Sequence, residues 1–97
     1  MTTIEFFRGG TNLKPRPREV RVDPATGLVQ TTRGISVYSR PDNLDRFGGP
    51  HRVTNVPKEL DIIQVGKDPN HYEIVASYPM SLAEYQAALN RIILVPV

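Results

Sequence analysis

The chain has no cysteine and no tryptophan, and its longest apolar run is the short segment Ile92–Val97. Without cysteine there is no disulfide, no thiol nucleophile and no thiolate metal site. A run that short falls well below the ~20 residues of a membrane-spanning helix. Met1–Gly10 also lacks the basic segment and long apolar stretch of a secretory leader, so the expected location is the cytoplasm, with no membrane partner. Histidine is scarce, with only His51 and His71, and no cluster has the spacing of a zinc site. Gly9-Gly10 and Gly48-Gly49 lack the lysine and the strand–loop–helix context of a phosphate-binding loop. Kinase, NTPase and zinc-hydrolase chemistry are therefore set aside, and no metal is expected. Aromatic residues make up 7% of the chain, too few for a base-stacking platform.

What remains is a folded chain with an uneven charge. Its 97 residues suit a single domain, 1–97, and its 39% apolar and 23% charged content fits a packed core rather than a disordered tail. Seven glycines and nine prolines call for many loops. Through Arg52, nine basic residues face five acidic ones; from Val53 onward, three face five. Arginine outnumbers lysine nine to three, and its planar fork matches phosphate oxygens better than a lysine point charge does. A basic, arginine-rich half suits a diphosphate or a nucleic-acid backbone, and equally a solvated face.

The pattern along the chain predicts short strands and one helix. Ile4–Arg8 reads as a first strand stopped by Gly9-Gly10, and Pro15 and Pro17 keep the following segment an extended loop. Glu19–Val22 alternates polar and apolar, and the turn Asp23–Gly27 would return it as a hairpin with Leu28–Gln30. Gly34–Tyr38, Arg52–Val56, Leu60–Val65 and Tyr72–Ser77 are further strands; Arg40–Pro50 is loop with a helical turn over Asn43–Phe47. The one convincing helix is Ser81–Arg91, with Ser81 as cap, Glu84 completing a capping box, and Leu82, Tyr85, Leu89 and Ile92 at helical spacing. Ile92–Val95 either extends that helix or forms a last strand. The sum is an α+β fold, strand-rich and ending in a helix, without the alternating helices of a doubly wound sheet.

Four local features offer chemistry. Arg8 ends the first strand just before Gly9, where a backbone can approach a ligand closely. Ser36 lies inside an apolar strand, and Tyr38 shares its face. His71 opens a strand after the turn Asp68-Pro69-Asn70, with Glu73 on its face. Each has a plain alternative: a solvated arginine, a small core serine, a packing tyrosine, a strand-end histidine.

Gly27-Leu28, then Gly34-Ile35-Ser36-Val37-Tyr38-Ser39-Arg40, then His71-Tyr72-Glu73-Ile74-Val75 with Pro79-Met80 shortly after, together resemble a toxin family. It is the family of ADP-ribosyltransferase-like toxins typified by a small cytotoxic effector of a bacterial type VI secretion system. Its members carry a glycine-x-serine-valine-aromatic strand, a histidine-tyrosine strand, a proline-methionine pair and a final helix, in this order. The likeness runs from about Arg16 to the C-terminus and, more loosely, over Phe6-Phe7-Arg8. The resemblance implies a split sheet of short strands and NAD as substrate. Arg8 falls where a first-strand arginine steadies NAD, and Arg16 looks like a loop arginine of the family. Ser36 matches the serine that supports the nicotinamide ribose, Tyr38 stands for an aromatic beside it, and His71 matches the histidine of the later strand. Gly9 and Val37 flank these positions and are expected at the cofactor. Glu73 is the nearest candidate for a catalytic glutamate. The expected catalytic set is Arg8, Ser36, His71 and Glu73.

The implied chemistry suits these residue types. Cleavage of the nicotinamide–ribose bond passes through an oxocarbenium-like state, as glycoside hydrolysis does, and positioning with electrostatics supplies much of the acceleration. The resemblance further implies a toxin acting in the cytoplasm of a producing or target bacterial cell and a cognate immunity or antitoxin protein that neutralises it. The macromolecular target, protein or nucleic acid, is left open, as is plain NAD hydrolysis. Two rivals stand beside this reading. One is a metal-independent ribonuclease, with His51 beside Arg52, or His71, as acid and base. The other is a non-catalytic module whose basic half binds nucleic acid or an acidic protein.

Overall fold

The computed structural model describes residues 4–16, 18–42, 44–45 and 48–97. Six strands and one helix follow in the order β1 (Phe7–Gly9), β2 (Ile35–Tyr38), β3 (Pro50–Thr54), β4 (Leu60–Gln64), β5 (His71–Ala76), α1 (Leu82–Leu89) and β6 (Ile93–Pro96). The strands form one sheet in the order β4-β5-β2-β1-β3-β6, and every neighbouring pair is antiparallel. The architecture is a small α+β fold. No helix among the described residues is long and apolar enough to cross a membrane.

The core lies on one face of the β4-β5-β2 half. Alternation along β2 sends Ile35 and Val37 inward, where neither retains any exposure, and Ile74 joins them from β5. Tyr85, Ala88 and Leu89 of α1 cover this patch, with Val29, Met80 and Ile92 closing its rim. The other half contributes less: every residue of β3 is half-buried and β6 is largely exposed. Phe6 reaches across to meet Tyr72 edge-on, with ring centroids 4.8 Å apart.

Several sequence expectations shift in register or length. The first strand begins at Phe7, and the third begins at Pro50. Glu19–Val22 and Leu28–Gln30 meet only through the bridge Val22–Val29. The turn between them forms as expected, with Gly27 at φ 72° accepting a conformation that side chains resist. Val29 bridges Val22 on one side and Met80 on the other, exchanging backbone bonds with Met80. The helical turn expected over Asn43–Phe47 cannot be described, since Asn43, Arg46 and Phe47 lie outside the described residues.

The helix ends at Leu89 rather than Arg91. Ile93–Pro96 turns out to be a strand paired with β3 from His51–Pro96 to Thr54–Ile93. At the helix start Ser81 accepts from the Glu84 amide at 3.1 Å. The Glu84 carboxylate accepts from the Ser81 hydroxyl at 3.2 Å, rather than from the Ser81 backbone N–H of a full capping box.

Candidate active site

The sheet is nearly split in the middle. β2 pairs with β5 at four positions, from Ile35–Ile74 to Tyr38–His71, whereas β1 and β2 pair only at Phe7–Tyr38. After β1 the chain turns away at Gly10, whose φ is 79° and whose amide donates to the Gly49 carbonyl at 2.9 Å. The two strands therefore diverge, leaving the Ser36 carbonyl facing a gap instead of a ladder partner.

Arg8 fills that gap. Its Nη1 donates to the Ser36 carbonyl at 2.6 Å, while Nε and Nη2 donate to the Asn12 carbonyl at 3.1 and 3.0 Å. Among the described residues, three of the five N–H donors of the guanidinium have partners and two have none. Burial pushes the Arg8 pKa down from its ordinary value, opposed mainly by the charge of Glu19. The guanidinium nonetheless keeps its charge, as arginine does in proteins.

Beside Arg8 opens a cleft of about 500 Å³ lined by Gly9, Asn12, Lys14, Arg16, Arg18, Glu19, Ser36, Tyr38 and Leu44 as well. Four cationic side chains thus face one carboxylate. Glu19 is itself engaged: its Oε1 accepts from the Arg16 amide at 2.9 Å, and its amide donates to the Arg16 carbonyl at 2.9 Å. That pair of bonds turns the loop so that Arg16 and Arg18 flank the cleft.

Ser36, Tyr38, His71 and Glu73 share one face, because Ser36 pairs with Glu73 and Tyr38 with His71 across the β2–β5 ladder. The Ser36 hydroxyl lies 3.0 Å from His71 Nε2. His71 Nδ1 lies 3.0 Å from the Val65 carbonyl, an atom that only accepts, so Nδ1 carries a proton, and in the neutral imidazole Nε2 then receives the serine hydroxyl. The Tyr38 and His71 rings stand 5.4 Å apart, centroid to centroid.

Glu73 is the only charged side chain among the buried residues described, with 2% exposure. Its Oε1 accepts from the Gly34 amide at 2.9 Å and from Arg33 Nε at 3.1 Å. Its Oε2 lies 3.9 Å from His71 Nε2. A buried carboxylate needs such partners, because desolvation without them costs far more than burial returns.

The sequence candidates thus fall into two groups and one exception. Arg8, Gly9, Arg16, Ser36 and Tyr38 line the cleft, while His71 and Glu73 stand behind Ser36 and do not. Val37 is a correction: the same alternation that presents Ser36 turns Val37 into the core, where its side chain has no exposure and reaches no ligand in the cleft. His51 sits across from Arg8 on β3, its Nδ1 3.1 Å from the Gly49 carbonyl.

Lys14, Arg18, Arg33 and Gly34 were not singled out by the sequence, though Gly34 opens the Ser36 motif. A Cβ at Gly34 would stand 1.8 Å from the Ile74 carbonyl oxygen and 2.6 Å from the Tyr85 hydroxyl. Only glycine lets β2 start this close to β5. Comparison with known proteins finds no matching family model, curated protein or solved structure.

Proposed function

We propose that the chain is a small NAD-utilising ADP-ribosyltransferase-like toxin, acting in bacterial cytoplasm and neutralised by a cognate immunity protein. One observation carries the reading: Arg8 and His71, from different strands, both converge on Ser36 at the mouth of a cationic cleft in a nearly split sheet. In this reading the two remaining N–H groups of Arg8, with Arg16, Arg18 and Lys14, hold the diphosphate by charge-assisted bonds. Ser36 meets the nicotinamide ribose, and Tyr38 offers a ring face beside it. His71, backed by the anchored Glu73 carboxylate, supports positive charge as the glycosidic bond breaks. Fixing the ribose against a preset electrostatic wall is the larger part of the work, since nicotinamide leaves readily once held.

The test is product analysis with NAD and with RNA side by side. Wild-type protein should release nicotinamide, and Ser36→Ala should lose that release while keeping its circular-dichroism spectrum. Expression without an inhibitor should arrest bacterial growth, and Ser36→Ala should relieve the arrest. RNA fragments without NAD consumption would replace this reading with the ribonuclease, in which case His51 beside Arg8 becomes a second candidate pair.

A further inference from the structure

The bond between Ser36 and His71 has a direction, and the direction has a chemical meaning. A serine that merely stitches strands together donates to a carbonyl, which cannot remove its proton. In the neutral imidazole the Ser36 hydroxyl, 3.0 Å away, donates to His71 Nε2, a basic nitrogen, because the Val65 carbonyl holds the ring in the tautomer that leaves Nε2 free to accept. A hydroxyl within hydrogen-bond reach of a base that a third group orients is the arrangement of an activated nucleophile.

The surroundings complete it. Once Nε2 gains a proton, it faces the Glu73 Oε2 at 3.9 Å. That carboxylate cannot swing away, because Gly34 and Arg33 hold its other oxygen. On the open side, Ser36 lines the cleft beside the Arg8 guanidinium. The nucleophile, its base and the anion-holding groups therefore meet at one strand position.

We propose that Ser36 Oγ itself attacks the nicotinamide ribose, so that the chain becomes ADP-ribosylated on Ser36. This rests on NAD being the substrate. In the step, the Oγ–H proton passes to His71 Nε2, a bond forms between Oγ and ribose C1′, and the C1′–nitrogen bond breaks with its electron pair returning to the pyridinium ring. Neutral nicotinamide leaves, and the imidazolium is left against Glu73. Nothing is oxidised or reduced, and no further reactant is required. A later acceptor can displace the serine oxygen, releasing its own proton to solvent as the His71 imidazolium returns one to Oγ.

The experiment incubates the full chain with NAD, quenches in acid, and measures released nicotinamide together with peptide masses. One ADP-ribosyl group is expected on the peptide carrying Ser36. Ser36→Cys, which preserves a nucleophile at the same place, should carry a longer-lived adduct, and Ser36→Ala none there. His71→Asn, which can still accept a hydrogen bond but cannot take the proton, should slow adduct formation roughly a hundredfold, the scale of a lost general base. Nicotinamide release with neither wild type nor Ser36→Cys bearing the group, or with the group on another residue, would overturn the attack by Ser36 and leave the NAD reading standing. No nicotinamide release at all would overturn both.

Discussion

Gly34 and Tyr85 show how single atoms hold the site together. The Gly34 amide anchors Glu73, and there is no room for a Cβ above the Ile74 carbonyl. Gly34→Ala should therefore push β2 off β5 and cost about 3 kcal/mol, at the upper end for overpacking; an unchanged denaturant midpoint would refute this. The Tyr85 hydroxyl donates to the Ile74 carbonyl and accepts from the Ile35 amide at 3.3 Å. Burial pushes its pKa up from 10.0 to about 12. A phenol whose folded-state pKa lies above its unfolded value contributes stability that is intact below the unfolded value and lost as pH rises through the folded one. Stability should thus fall between about pH 10 and 12, by up to about 3 kcal/mol from this group. Tyr85→Phe should be less stable near neutrality, by about 1–3 kcal/mol for the backbone groups left unpaired, and should lack this alkaline loss. Chemical denaturation across alkaline pH measures both.

At the scale of elements, the helix start is the clearest case of a local signal read correctly. Ser81 caps the Glu84 amide, and Ser81→Ala should cost about 1 kcal/mol, measurable as a lower thermal midpoint. β2 and β5 were also legible: β2 alternates between buried and half-buried positions, and β5 is a short apolar run with β-branched residues that is buried along most of its length. Glu19–Gln30 was legible only in part: the turn and one bridge, Val22–Val29, form, while the second bridge of Val29, to Met80, joins segments far apart in sequence that no local pattern connects. The end of the helix was undecidable for a related reason. Ile92 through Val95 is apolar without period, and only the open edge of β3 decides that Ile93 begins a strand. In the site, Ser36, Tyr38, His71 and Glu73 were legible as sharing faces through strand parity. Arg33 was not, since its partner Glu73 lies far along the chain and no local pattern joins them. Val37 was misplaced for a simple reason: proximity to Ser36 in sequence means the opposite face in a strand.

At the scale of the whole molecule, four cationic side chains, Arg8, Lys14, Arg16 and Arg18, line one cleft. Binding of NAD should accordingly weaken as salt rises, and the loss from Arg16→Ala should shrink at high salt because that side chain is exposed. Arg8→Ala should weaken binding at every salt concentration and also lower the thermal midpoint, because its guanidinium bridges Asn12 and Ser36. Calorimetry with unchanged affinity in both variants would place the diphosphate elsewhere.

The near-split sheet bears on how the protein breathes. β1, β3 and β6 form one leaf, and β2, β5 and β4 with the helix form another; one ladder position and the Arg8 bond to Ser36 join the strands, and Phe6, Val53 and Leu94 pack across the seam. The first leaf buries little: only Phe7 of its strand residues is fully covered. Such a leaf should open as its own cooperative unit, below the free energy of global unfolding. In hydrogen exchange, amides of β3 and β6 should then trade with solvent faster than those of β2 and β5. A ligand gripping both sides of the cleft would act as a clasp, and by mass action should slow the loose leaf most. The amides that become protected on binding, though distant from the ligand, would mark the seam along which the molecule opens.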